Sequence, residues 1–169
     1  MVIEEIKKHQ FGFLATSNKK KAWIREIRCV PNGLSVLCFT DVRSRKWKQI
    51  EDNPNVALAF GNHQIPYRGL QIEGTGLLRG HPLDEENAAL LMAYKESQPT
   101  AYERSMKRHF VRSRPNLGVI EIVPSKVIYS VQGDTASGTF VDVLDLVKEE
   151  AHKVMVNVGD GFAAPAYKE

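Results

Sequence analysis

Pro31-Asn32-Gly33 stands between two segments of alternating character, Ala22 to Val30 and Leu34 to Thr40, and this hairpin signature constrains the fold most. A chain that reverses over so few residues builds antiparallel sheet. Leu34, Val36, Cys38 and Thr40 share one face of the second segment. Other segments follow the same pattern. Phe11 to Thr16 is short and apolar, while Val56, Leu58 and Phe60 alternate with Ala57 and Ala59. Gly69 to Leu78 carries Leu70, Ile72 and Leu77, with Gly74 and Gly76 marking a bulge, a barrel corner or a close ligand. Leu117 to Val123 and Lys126 to Val131 read as two strands separated by Pro124-Ser125. The pattern predicts a mainly β fold: a six- to seven-stranded split β-barrel, Greek-key-like, with peripheral helices. A doubly wound sheet would need regular strand and helix alternation, and no Gly-x-Gly-x-x-Gly is present.

One helix begins near Asp41 or Ser44, brings Trp47 and Ile50 to one side as core anchors, and stops at Asn53-Pro54. A second spans Pro82 to Ser97 with Asp84 as its cap, and Pro99 ends it. A third piece covers Ala101 to Val111. Beyond Gly138, the spacing of Val141, Leu144, Val147, Lys148 and Ala151 suits an amphipathic helix, which Val154 to Val158 either extends or follows as a short strand.

With 169 residues, 43% apolar and 25% charged, the chain is expected to form one globular domain. It has no apolar run long enough to span a bilayer and no signal-peptide pattern at Met1-Val2-Ile3-Glu4-Glu5, so a soluble, cytoplasmic protein is expected. If Asn32-Gly33 closes a two-residue turn, Cys29 pairs with Val36 and Cys38 with Ile27, so the two cysteines do not face each other and stay reduced. The net charge of +3 conceals an asymmetry: residues 1–120 hold nineteen Lys/Arg against twelve Asp/Glu. That suits an anionic ligand or a nucleic acid, although interleaved aromatics are too scarce to favour nucleic acid.

The cations concentrate in Phe39-Thr40-Asp41-Val42-Arg43-Ser44-Arg45-Lys46-Trp47-Lys48, where a strand ends in hydroxyls and cations at a helix start. Unpaired N–H groups and the helix dipole there favour an anion, Arg45 offers a bidentate fork and Lys46 a mobile point charge. We favour phosphate binding over an ordinary basic helix start. Arg104, Lys107, Arg108, Arg112 and Arg114 form a second cluster, read as a solvated helix face, and Lys19-Lys20-Lys21 as an exposed turn. His9, His63, His81, His109 and His152 show no metal-ligand spacing, and no catalytic side chain can be assigned.

Gly12-Phe13-Leu14-Ala15-Thr16, Arg25, Leu37-Cys38-Phe39-Thr40-Asp41, Arg43-Ser44-Arg45-Lys46, Asn53-Pro54-Asn55-Val56-Ala57-Leu58-Ala59-Phe60 and Ile72-Glu73-Gly74 together resemble the pyridoxamine 5'-phosphate oxidase-like flavin-binding split-barrel family over roughly residues 5 to 130. The resemblance implies a homodimer with flavin mononucleotide (FMN) at the subunit interface and a small-molecule redox substrate. It divides the chain into an FMN-binding split barrel at 1–135 and a C-terminal helical extension or tail of the same domain at 136–169. Carried over by position, the resemblance implies Arg25, Ser44, Arg45 and Lys46 as phosphate ligands, Thr40 as a contact to the flavin or its ribityl chain, Asp41 as a further cofactor-binding residue and Gln71 as a substitute flavin contact. Val30 stands where oxidase members tend to have a second lysine, and Gly69 where they have a flavin-contacting glutamine. True pyridoxamine phosphate oxidases carry a tryptophan and an arginine near the C-terminus, whereas this chain has only Trp23 and Trp47 and no arginine after Arg114. The expected function is an FMN-dependent oxidoreductase of general-stress or flavin-reductase type. The alternative is a non-catalytic flavin, deazaflavin or haem binding or sensor protein.

Overall fold

A computed structural model describes residues 2–18, 21–61, 67–107, 113–132, 139–147 and 150–156. The elements in chain order are α1 (Val2–Lys8), β1 (Phe11–Ser17), β2 (Ala22–Arg28), β3 (Val30–Asn32), β4 (Ser35–Asp41), α2 (Arg45–Asp52), β5 (Asn55–Gly61) and β6 (Tyr67–Leu78). They continue with a 3-10 turn (Glu85–Asn87), α3 (Ala88–Ser97), α4 (Pro99–Lys107), β7 (Leu117–Gln132), β8 (Thr139–Asp145) and β9 (Glu150–Val156). No helix among the described residues is long and apolar enough to cross a membrane.

The main sheet runs β2-β1-β5-β6-β7-β4-β3 with antiparallel neighbours throughout, and β8 and β9 extend it from β7. Its two edges, β2 and β3, are consecutive in the chain and separated only by Cys29. The segment from Ala22 to Asn32 therefore pairs with β1 at one end and β4 at the other, which curls the sheet into the split barrel the sequence predicts. Cys29 N–H leaves the ladder and donates to Gln10 O at 2.8 Å. Alternating residues fill the interior: Leu14, Val36, Leu58, Ile72, Ile120 and Ile122 are almost fully buried, each worth about 1.5–3 kcal/mol of transfer free energy.

Val30, Leu37 and Val119 point the other way and pack beneath Tyr94 of α3. Both faces of β4 are consequently covered, so its burial is nearly continuous from Val36 to Cys38.

Several expectations are corrected. The turn lies one residue later than Asn32-Gly33: Asn32 pairs with Ser35, Gly33 takes φ +61°, and Leu34 is exposed in the loop. This register sets Cys29 beside Cys38 rather than away from it; both are buried free thiols, and Cys29 Sγ donates to Ile27 O at 3.5 Å. Interaction with the Cys29 thiol, then burial, pushes the Cys38 thiol well above its usual value. Pro124-Ser125 does not divide two strands, because β7 absorbs both residues in a bulge opposite Glu73 and Gly74. Gly74 is required there, since a Cβ would lie 2.2 Å from the Val123 carbonyl oxygen.

The helix expected over 82–97 starts only after the 3-10 turn, with Asp84 accepting from His81 N–H instead of capping. Pro99 opens α4 instead of merely ending α3, as proline tolerates a first helical turn. The C-terminal helix is a hairpin, β8 and β9, whose Val143 and Leu144 pair with Ile128 and Val127 of β7. The seven strands of the main path agree with the expected split barrel, β8 and β9 add two more among the described residues, and α1 is an element that the sequence reading did not separate. Of the extension expected over 136–169, residues 136–138, 148–149 and 157–169 lie outside the described residues.

Candidate functional site

Thr40 is the penultimate residue of β4, and after Asp41 the chain turns over Val42 and Arg43 into α2, whose N-cap is Ser44. Ser44 holds the extended cap conformation, φ −67° and ψ 154°, and its Oγ lies 3.5 Å from Trp47 N–H. Trp47 and Ile50 are buried and pin the helix to the barrel, as their spacing predicts. The helix sits so close to β7 that a Cβ on Gly118 would lie 2.4 Å from the Trp47 ring. Asn53 closes α2 by donating its N–H to Gln49 O at 2.8 Å.

This docking gathers polar groups from four elements. Lys46 Nζ donates to Thr40 Oγ1 at 2.8 Å, and Thr40 Oγ1 is 3.3 Å from Ser44 Oγ. From β2, Arg25 Nη2 donates to Gln49 Oε1 at 3.2 Å. From β1, Thr16 Oγ1 donates to the same oxygen at 2.6 Å. The Arg45 guanidinium lies over the Trp23 ring, 5.9 Å from its centroid.

Two donors at this centre have neither exposed surface nor a partner: Arg25 Nη1 and Gln49 Nε2. The electrostatics agree. Burial pulls the Arg25 guanidinium below its usual value, and the Arg45 charge adds to the effect. Burial and the Arg25 charge likewise pull down the Lys46 ammonium, against smaller opposing effects of Cys38 and Asp41. Converging cations and two donors without acceptors of their own make a site suited to an anion, and a phosphate group supplies acceptors of the matching charge. The residues present fit the phosphate of a flavin nucleotide.

The structure thus brings together Arg25, Thr40, Ser44 and Lys46, with Arg45 alongside on Trp23. Asp41 is placed differently. Its carboxylate is turned onto Arg43, at 2.9 Å from Nε and 2.7 Å from Nη2, and these bonds hold it down at about 2. It braces the turn that aims α2. Gln71 also stands apart, exposed on the outer face of β6 between Ala59 and Ile128, whereas its neighbours Leu70 and Ile72 point inward.

Of the second basic cluster, Arg104 is exposed on α4 and Arg114 stands in the turn before β7, while Arg108 and Arg112 lie outside the described residues. Lys19 and Lys20 also lie outside them, and Lys21 is exposed. His9 stacks on Phe60 with ring centroids 5.3 Å apart, and His81 sits in a turn against Arg114 O. No group of three or more His, Cys, Asp or Glu suited to a metal exists among the described residues. Sequence reasoning missed Gln49, Thr16 and Trp23. Gln49 carried one usable signal, since it lies three residues after Lys46 and four after Arg45, on the same helical face.

The family model described as pyridoxamine 5'-phosphate oxidase matches residues 2–130. The chain belongs to this family. Among curated relatives of this pyridoxamine 5'-phosphate oxidase family member, General stress protein 26 of Bacillus subtilis is 26% identical over 127 residues, covering 75% of this chain and 83% of that protein. Among solved structures, an FMN-binding, pyridoxamine 5'-phosphate oxidase-related protein of Nostoc punctiforme superposes with a TM-score of 0.60 at 15% identity, covering 88% of each chain. A haem-binding protein of Mycobacterium smegmatis reaches a TM-score of 0.60 at 13% identity, over 92% of this chain and 58% of that one. At these identities the structural likeness establishes the split-barrel fold alone.

Proposed function

We propose that this chain binds FMN through its phosphate and serves as an oxidoreductase for a small-molecule redox substrate. The observation that carries this reading is the pair of buried donors without acceptors, Arg25 Nη1 and Gln49 Nε2, beside the desolvated Lys46 ammonium. Each such donor costs about 1–3 kcal/mol while unsatisfied, and phosphate oxygens relieve that cost. Arg25 and Lys46 would hold the phosphate from two sides, with Ser44 and the N–H groups of the first turn of α2 beneath it. When bound, the isoalloxazine ring supplies hydride and electron transfer.

The same reading includes a homodimer. Phe11, Phe13 and Ile24 are 52%, 51% and 69% exposed. Phe13 and Ile24 lie on the outer face of β1 and β2, which Ala15, Ala57 and Ala59 continue, with Glu26, Gln71 and Glu73 as polar neighbours on the same face. A second copy of this chain fits that surface, with Gln71 reaching the cofactor region at the interface. Side-by-side free thiols at Cys29 and Cys38 support a reducing, cytoplasmic setting.

An absorbance spectrum of the purified protein, followed by titration with FMN, tests the reading. Flavin bands and quenching of flavin fluorescence are expected. A colourless protein that quenches no flavin, or one showing a haem Soret band, overturns it. Replacing both Arg45 and Lys46 by alanine is expected to lower FMN affinity by at least about a hundredfold without altering the far-UV circular dichroism.

A further inference from the structure

We propose that Gln49 is the positioning residue of this anion site and supplies a neutral donor that allows the site to select a phosphate ester. The inference rests on the phosphate reading above. Gln49 is 4% exposed, and its Oε1 draws in both Thr16 Oγ1 at 2.6 Å and Arg25 Nη2 at 3.2 Å. Arg25 has donors only, so the amide atom facing it is the oxygen, and the orientation of the carboxamide is fixed. Gln49 Nε2 then points away from the atoms that Oε1 receives, and it and Arg25 Nη1 are the two buried side-chain donors without partners among the described residues.

Three elements are coupled through this one side chain. Arg25 belongs to β2, Thr16 to β1 and Gln49 to α2, which also carries Arg45 and Lys46. Gln49 therefore sets the distance between the strand-borne cation and the helix-borne cations. A glutamate here would keep both acceptor contacts with nearly the same shape. It would also form an ion pair with Arg25, cancel a positive charge and remove the N–H donor. The choice of an amide over a carboxylate keeps Arg25 available to an anion.

The test compares FMN with riboflavin, which lacks the phosphate, by fluorescence titration of the native protein, Gln49→Glu and Gln49→Met. The native protein is expected to prefer FMN. In Gln49→Glu that preference is expected to fall about a hundredfold, and in Gln49→Met about tenfold. Riboflavin affinity is expected to stay within about twofold of native, because neither variant touches the ring. A purely structural tie between α2 and the barrel would instead weaken both ligands alike. Equal weakening, or an unchanged preference in both variants, overturns the inference while leaving FMN binding by the native protein intact. A native protein that binds neither flavin overturns the phosphate reading and this inference with it.

Discussion

Asp41, within the Phe39–Lys48 motif, and Gln49, just beyond it, have different tasks. Asp41 directs its carboxylate to Arg43, outside the donor cluster, and is held at about 2 against an ordinary 3.8. Because the folded value is depressed, the contact stabilises the fold above about 3.8 and is lost as pH falls through that value toward 2. Carbon-detected NMR titration of the carboxyl is expected to show a midpoint near 2, and Arg43→Ala to return it toward 3.8. A midpoint unchanged by that substitution would contradict the bracing role. Ser44, Arg45 and Lys46 were legible in the sequence because a cap and a helix start are local features. Gln49 was not, since its partners Thr16 and Arg25 are 33 and 24 residues away and become neighbours only when the barrel closes.

At the level of elements, strands announced by alternation were found, and those governed by irregularity were misread. β7 is the plainest case: Pro124 would interrupt a flat ladder, but the bulge gives it a place where its missing N–H is harmless. The partner of that bulge is Gly74, whose neighbour is backbone and cannot swing away. Gly74→Ala is therefore expected to destabilise the protein by about 1–3 kcal/mol, measured by urea denaturation, with the cost arising where β6 crosses β7. The C-terminal hairpin was misassigned for a related reason. Val141, Leu144 and Val147 satisfy helical spacing on paper, yet pairing with β7 decides for strand.

For the whole molecule, the proposed homodimer rests on the outer face of β1 and β2. Sedimentation equilibrium of the native protein is expected to give twice the chain mass of 19.0 kDa. Phe13→Glu places a charge on that exposed face without disturbing the interior, and is expected to yield a 19.0 kDa species with weakened FMN affinity. A native monomer would refute the dimer. The barrel itself was legible because six or seven punctuated strands leave few ways to bury one core. Its closure was hidden, since nothing local marks Cys29 as the place where one segment changes partners. That shared segment also carries Arg25, so the seam of the barrel and the arm of the anion site are one piece of chain. An anion held by Arg25 would therefore tie down the very segment that joins the two edges of the sheet, and is expected to raise the protein's resistance to unfolding.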